Sequence, residues 1–315
     1  MISSRAISPP RALLITAICE FIGPFIFGVA VATTIGNEIV SGEMLTIPII
    51  FTALIAAIIW NLATWYLGIP SSSSHALIGG IIGSALMANF LSLLYAGGVV
   101  STDNLVKVTS ILKTGGLLKV LGALLFSPLI GFISGFVVLK MIFFFARNAH
   151  PGINWFFNKG QVLTSIGLAL SHGTNDAQKT MGVITMGLLA AGGISEFKVP
   201  FWVVAACASA IALGTALGGW RLIKTIGGKF YKIRPVHGFT AQISSGSVIL
   251  AASLLGGPVS TTQVVSSTVM GAGSAERFSK VRWGVGRQIA TAWILTIPVT
   301  ALIAGLFYLV VWSFI

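Results

Sequence analysis

The chain has 315 residues, of which 19 are lysine or arginine and only 7 aspartate or glutamate, for a net charge of +12. Charged residues are 8% of the chain, hydrophobic ones 55%, and the mean hydropathy is +0.96. A soluble domain is about 25% charged, and a disordered segment holds far less apolar side chain, so both are excluded. Lipid is left as the main solvent. At about 20 apolar residues per span, this length predicts an all-α polytopic protein of about 9–11 membrane segments, multi-pass in the cell membrane. The bases sit in short gaps between apolar runs, the pattern of cytoplasmic loops, so no nucleic-acid partner is expected.

The first apolar run, near 12–33, follows Arg5 and Arg11 and contains Cys19 and Glu20. Its end at Ala30-Val31-Ala32 loosely mimics a signal-peptide site, but Glu20 and the many later runs make it a retained helix. The gap that follows holds Glu38 and Glu43 and no base. Runs near 46–67 and 72–98 flank a turn, Gly68-Ile69-Pro70-Ser71-Ser72-Ser73-Ser74-His75. Lys107 and Lys113 precede the run near 115–145, and Arg147 and Lys159 flank the gap before the run at 158–191. The run at 199–219 contains Cys207 and is followed by Arg221, Lys224, Lys229, Lys232 and Arg234. Runs near 237–255 and 259–275 flank Gly256-Gly257-Pro258-Val259-Ser260-Thr261-Thr262-Gln263. Arg277, Lys280, Arg282 and Arg287, with Glu276 the sole acid, lead to the last run at 284–312.

Both cysteines lie in apolar runs and read as buried free thiols; no Cys/His cluster suggests zinc. Trp60, Trp65, Trp202 and Trp312, at the run edges, read as interface anchors. Placing the basic gaps in the cytoplasm puts the N-terminus inside and residues 36–43 outside, with nine crossings. Lys107 and Lys113 are the exception, falling on the outer side.

The two turns match without a gap, 188 residues apart, and Gly83 and Gly271 keep that offset. Thr34-Ile35-Gly36 and Thr225-Ile226-Gly227 agree loosely, each closing an apolar run. One follows into an acidic gap and the other into a basic one, so the two copies face opposite sides. Inverted repeats with discontinuous helices are secondary-transporter architecture, with 1–145 as the first repeat and 146–315 as the second.

Each turn places Ser/Thr after a proline and before a helix-like run. A helix starting inside the membrane leaves about four N–H groups free, which with the dipole form an anion site. Ser72, Ser73, Ser74, Ser260, Thr261 and Thr262 would add hydroxyl donors. The alternative is that these hydroxyls only cap helices. Within the run at 158–191 lies Ser171-His172-Gly173-Thr174-Asn175-Asp176-Ala177-Gln178-Lys179-Thr180-Met181-Gly182. Asp176 and Glu20 are the carboxylates embedded in apolar runs, and an ionised group there reads as functional. Thr174, Asn175, Asp176 and Gln178 offer dense oxygen for a coupling cation, with Na+ at Asn175 and Asp176; Glu20 is a further coupling-ion candidate, its alternatives being a pair with a base or a protonated, neutral carboxyl. A local Asp176–Lys179 pair that merely neutralises charge is the alternative. His172 and Asp176 alone are too few ligands for zinc.

The run S-H-G-T-N-D-A-Q-K-T-M-G-V, the turns G-I-P-S-S-S-S-H-A-L-I-G-G and G-G-P-V-S-T-T-Q-V-V-S-S, and G-G-W-R-L-I-K-T-I-G-G-K together resemble the inorganic phosphate transporter family. The resemblance covers essentially the whole chain in the family's order. It implies a non-enzymatic secondary transporter moving phosphate by symport with Na+ or H+, without another cofactor. It also implies that Asn175 and Asp176 help form the ion and phosphate sites, and that the anion is held by Ser72–Ser74, Ser260–Thr262 and Asp176. The family's first-half Asn-Asp signature belongs on a helix just before a segment like Ile2–Pro9. The chain as given lacks it, which implies little or no transport unless the upstream coding DNA supplies that helix in frame. A sulfate permease of the same fold, or a degraded transporter acting as a receptor or scaffold, are the alternatives; a homodimer is left open. Phosphate carries a proton at neutral pH and sulfate does not, so a carboxylate beside the anion favours phosphate.

Overall fold

The computed structural model describes residues 1–40, 45–96 and 108–314, so Glu43 and Lys107 lie outside the described residues. Among these the regular secondary structure is helical, apart from one isolated bridge between Val40 and Leu112. Helices α1 (Pro9–Ile26) and α2 (Ala30–Glu38) follow each other across a three-residue break at 27–29. A first hairpin follows, α3 (Ile47–Leu67) and α4 (Ser73–Tyr95), and then two long helices, α5 (Thr114–Phe145) and α6 (Ile153–Ala190). α7 (Phe201–Leu217) bends by 64° into α8 (Trp220–Lys224) and a π turn at Thr225–Lys229. The second hairpin is α9 (Pro235–Leu254) with α10 (Thr261–Glu276), and α11 (Trp283–Trp312) closes the bundle.

Local chemistry sets the hairpin tips. Proline in the first turn starts α3 and α9, where its missing N–H costs nothing. Gly68 and Gly256, the first residues of the matched turns, both adopt left-handed backbone (φ 67° and 72°) that a side chain would strain. Each ends its helix with the same bonds. Gly68 and Ile69 N–H reach Trp65 and Thr64 carbonyls at 3.0 and 2.9 Å, and Gly256 and Gly257 reach Ser253 and Ala252 at 3.1 and 2.8 Å.

Packing is exchanged between the halves: α4 lies along α11, and α10 along α5. A Cβ at Gly83 would stand 2.0 Å from the Ala301 carbonyl oxygen, and one at Gly271 2.0 Å from that of Phe132. These are the two glycines that share the 188-residue offset. The loosely matched threonines also behave alike. The Thr225 hydroxyl donates to the Gly68 carbonyl at 3.0 Å, and the Thr34 hydroxyl lies 2.9 Å from where a Gly256 Cβ would be.

Polarity is distributed inside out. Leu118, Leu125, Ile294 and Leu302 are exposed, whereas Thr52, Ser84, Gln161, Thr185, Ser245 and Thr296 are buried. Small residues let helix backbones approach where lipid gives no hydrophobic drive between them. Cys19 and Cys207 are free and buried.

Five described helices are long and apolar enough to cross a membrane, six if the bent pair at 201–229 is one span. That is fewer than the 9–11 segments expected. α2 and α10 are short, and α6 and α9 bury polar faces that lower their hydropathy. The loop-charge pattern has a physical counterpart. Glu276 joins Arg234, His237 and Lys280 at 2.6, 2.7 and 2.6 Å, so both strongly basic gaps share one face. Lys113 donates to the Asn37 carbonyl at 2.8 Å, and Lys119 pairs with Glu38 at 3.2 Å, so Lys113 lies beside the acidic gap.

Candidate functional site

The two hairpin tips meet in the interior. Ser72 caps α4 by accepting the His75 N–H at 3.1 Å, and Ser260 caps α10 by accepting that of Gln263 at 3.4 Å. For these two hydroxyls capping is the observed local role. Ser74 reaches across and donates to the Val259 carbonyl at 3.3 Å. His75 Nδ1 meets Gln263 Nε2 at 3.2 Å, so the two residues matched by the repeat touch each other.

Against this junction lies α6, whose His172, Asp176 and Lys179 are spaced to share one helical face. Asp176 Oδ1 accepts from Lys179 Nζ at 2.6 Å. Its Oδ2 accepts from the Thr261 hydroxyl at 3.0 Å and faces His172 Nε2 at 3.0 Å. His172 Nδ1 lies 2.5 Å from Glu20 Oε1, and the other Glu20 oxygen takes the Thr215 hydroxyl. A continuous polar chain therefore runs from α7 through Glu20, His172 and Asp176 to the tip of the second hairpin. Glu20 is buried, whereas the Asp176 side chain keeps 18% exposure. Glu20, His172, Thr261 and Thr262 line one cavity of about 370 Å³. Charges removed from water in this way interact far more strongly than they would in bulk solvent.

The remaining predicted residues are placed unevenly. Asn175 donates through Nδ2 to Ser253 Oγ at 2.8 Å and to the Gly257 carbonyl at 3.4 Å, fastening α6 to the second tip. Its Oδ1 is buried without a hydrogen-bond partner among the described residues. Thr174 is not brought to the junction: its hydroxyl returns to the Leu170 carbonyl at 2.7 Å and packs where a Gly23 side chain would be. Ser73, the counterpart of Thr261, is exposed. Two contacts escape sequence reasoning. Thr215 gives no pattern inside its apolar run, and Gln178 uses its Oε1 to accept the Val31 N–H at 2.7 Å, near the start of α2. The second had one legible signal, since α2 lacks a capping side chain of its own.

Broken helices and hairpin tips converging on a buried polar junction, inside a bundle with a greasy exterior, define a membrane transporter. Comparison with known proteins gives the kind. Residues 1–304 match the model of the Phosphate transporter family. A Rhizobium meliloti (strain 1021) protein named "Probable low-affinity inorganic phosphate transporter" is 41% identical over 98% of this chain and 87% of its own length. A Bacillus subtilis (strain 168) protein of the same name is 40% identical over 98% and 88%. A solved structure described as "The sodium-dependent phosphate transporter" superposes with a TM-score of 0.85 at 25% identity, covering 100% of this chain and 92% of that one. The chain belongs to the phosphate transporter family, and it is a multi-pass membrane protein, not an enzyme.

Proposed function

We propose that the protein moves inorganic phosphate across the membrane by symport with Na+ or H+, holding the anion where the two hairpin tips meet Asp176. The observation that carries this reading is the Thr261–Asp176 hydrogen bond at 3.0 Å beside the Ser74–Val259 contact at 3.3 Å. Together they bring both hydroxyl turns near the half-buried Asp176 carboxylate.

In this reading Ser72 and Ser260 keep the two helix starts folded. Ser73, Ser74, Thr261 and Thr262 supply hydroxyls, and the free N–H groups of the α4 and α10 first turns supply the dipole ends. Neither turn contains lysine or arginine, which suits reversible binding. Asp176 accepts a hydrogen bond from a protonated phosphate oxygen and repels sulfate, which has no proton to give. Asn175, with an unpaired buried Oδ1, and Glu20, at the far end of the polar chain, serve the coupling ion. The exchanged packing of α4 and α10 supports a division into inverted repeats, 1–145 and 146–315, that rock about the shared tips.

The test is uptake of labelled phosphate into proteoliposomes under a Na+ gradient and then under a proton gradient, with excess unlabelled sulfate present. Uptake should follow one gradient and resist sulfate, and Asp176→Asn should lower coupled uptake by about tenfold or more. Indifference to Asp176→Asn contradicts the assignment, and competition by sulfate at equal concentration contradicts the anion preference.

A further inference from the structure

Lys179 has no task in the anion site just described, yet its side chain is only 4% exposed. Its ammonium donates to Asp176 Oδ1 at 2.6 Å and to the backbone carbonyl of Val259 at 2.6 Å. Val259 belongs to the non-helical stretch that leads into α10, and its carbonyl also takes the Ser74 hydroxyl. A carboxylate oxygen and a carbonyl freed at a helix break are the ligands a transporter offers to a hard monovalent cation. Here those oxygens surround a nitrogen of this chain. Lysine suits such a position, being a compact point charge on a flexible stem with three N–H donors and no acceptor.

We infer that Lys179 is a tethered cation: its ammonium fills a sodium-type position between Asp176 and Val259, so the carboxylate is balanced there without a dissolved ion. This rests on the reading of Asp176 as the floor of the phosphate site and adds how that floor is kept from repelling its anion. Opposite charge this close, in a buried setting, offsets much of the repulsion that a bare Asp176 would exert on phosphate. Removing the ammonium leaves two oxygens facing a void, and a free cation becomes the means of balancing them.

The experiment compares purified wild type, Lys179→Ala, Lys179→Gln and Lys179→Arg by thermal unfolding in detergent, with NaCl or choline chloride at equal ionic strength. Sodium should raise the melting temperature of the Ala or Gln variant by about 3 °C more than that of wild type, through its preference for the folded state. Lys179→Arg keeps a tethered charge and should respond as wild type does. In proteoliposomes the Ala or Gln variant should need Na+ for phosphate uptake at least about fivefold more than wild type does. An equal sodium response in all four proteins overturns the tethered cation. The sodium shift is read without phosphate, so a failure of phosphate to stabilise or enter any of the proteins sinks the transport reading and leaves the cation result standing on its own. If Lys179→Ala does not fold, Lys179→Gln, nearly the same size and neutral, carries the comparison.

Discussion

The hydroxyl residues Ser72 and Ser260 serve a different purpose from their neighbours in the same turns. Their hydroxyls point back to the N–H groups of His75 and Gln263, while Ser74 and Thr261 point forward to Val259 and Asp176. Ser72→Ala and Ser260→Ala should therefore each cost about 1 kcal/mol of stability, read as a lower melting temperature, before any effect on transport. Asp176 was legible as a candidate because a carboxylate within an apolar run needs a reason to be there. The local pair with Lys179 was legible too, from i,i+3 spacing, but its second partner was not. Val259 acts through its backbone, which leaves no mark in residue type. Glu20 and His172 are separated by 152 residues, so nothing short of the fold puts them 2.5 Å apart.

Hairpins, rather than single helices, are the parts that build the junction. Glycine followed by a proline stretch announced both tips in the sequence, and the left-handed Gly68 and Gly256 are the physical cause. The pairing of α4 with α11 and of α10 with α5 was not announced, because a helix flank rich in Gly and Ala records close contact but not the partner. Gly83 and Gly271 test that packing. In each case the neighbour that a Cβ would strike is backbone and cannot swing aside. Gly83→Ala and Gly271→Ala should separate their helix pairs and destabilise the protein by about 1–3 kcal/mol each. Unfolding followed by circular dichroism checks this, and near-equal losses are expected because the two positions occupy matching places.

Composition alone excluded water as the main solvent, and the apolar exterior with hydroxyls and amides inside agrees with that conclusion. The number of spans was harder to read. A half-helix such as α10 and a long helix with a polar face such as α6 both depart from the simple rule of about 20 apolar residues per crossing. The matched turns do not share this difficulty, because they rest on aligned residues rather than on counted runs. The matched residues His75 and Gln263, 188 positions apart in the chain, lie 3.2 Å apart in the buried junction. The most direct test is the apparent phosphate affinity of Ser73→Ala and Thr261→Val, one change at each tip, measured by initial uptake rates in proteoliposomes. If both tips hold the anion, each variant should weaken affinity by about tenfold, the loss expected for one hydrogen bond to a charged group. An affinity unchanged in either variant would place phosphate away from that tip and contradict the shared site.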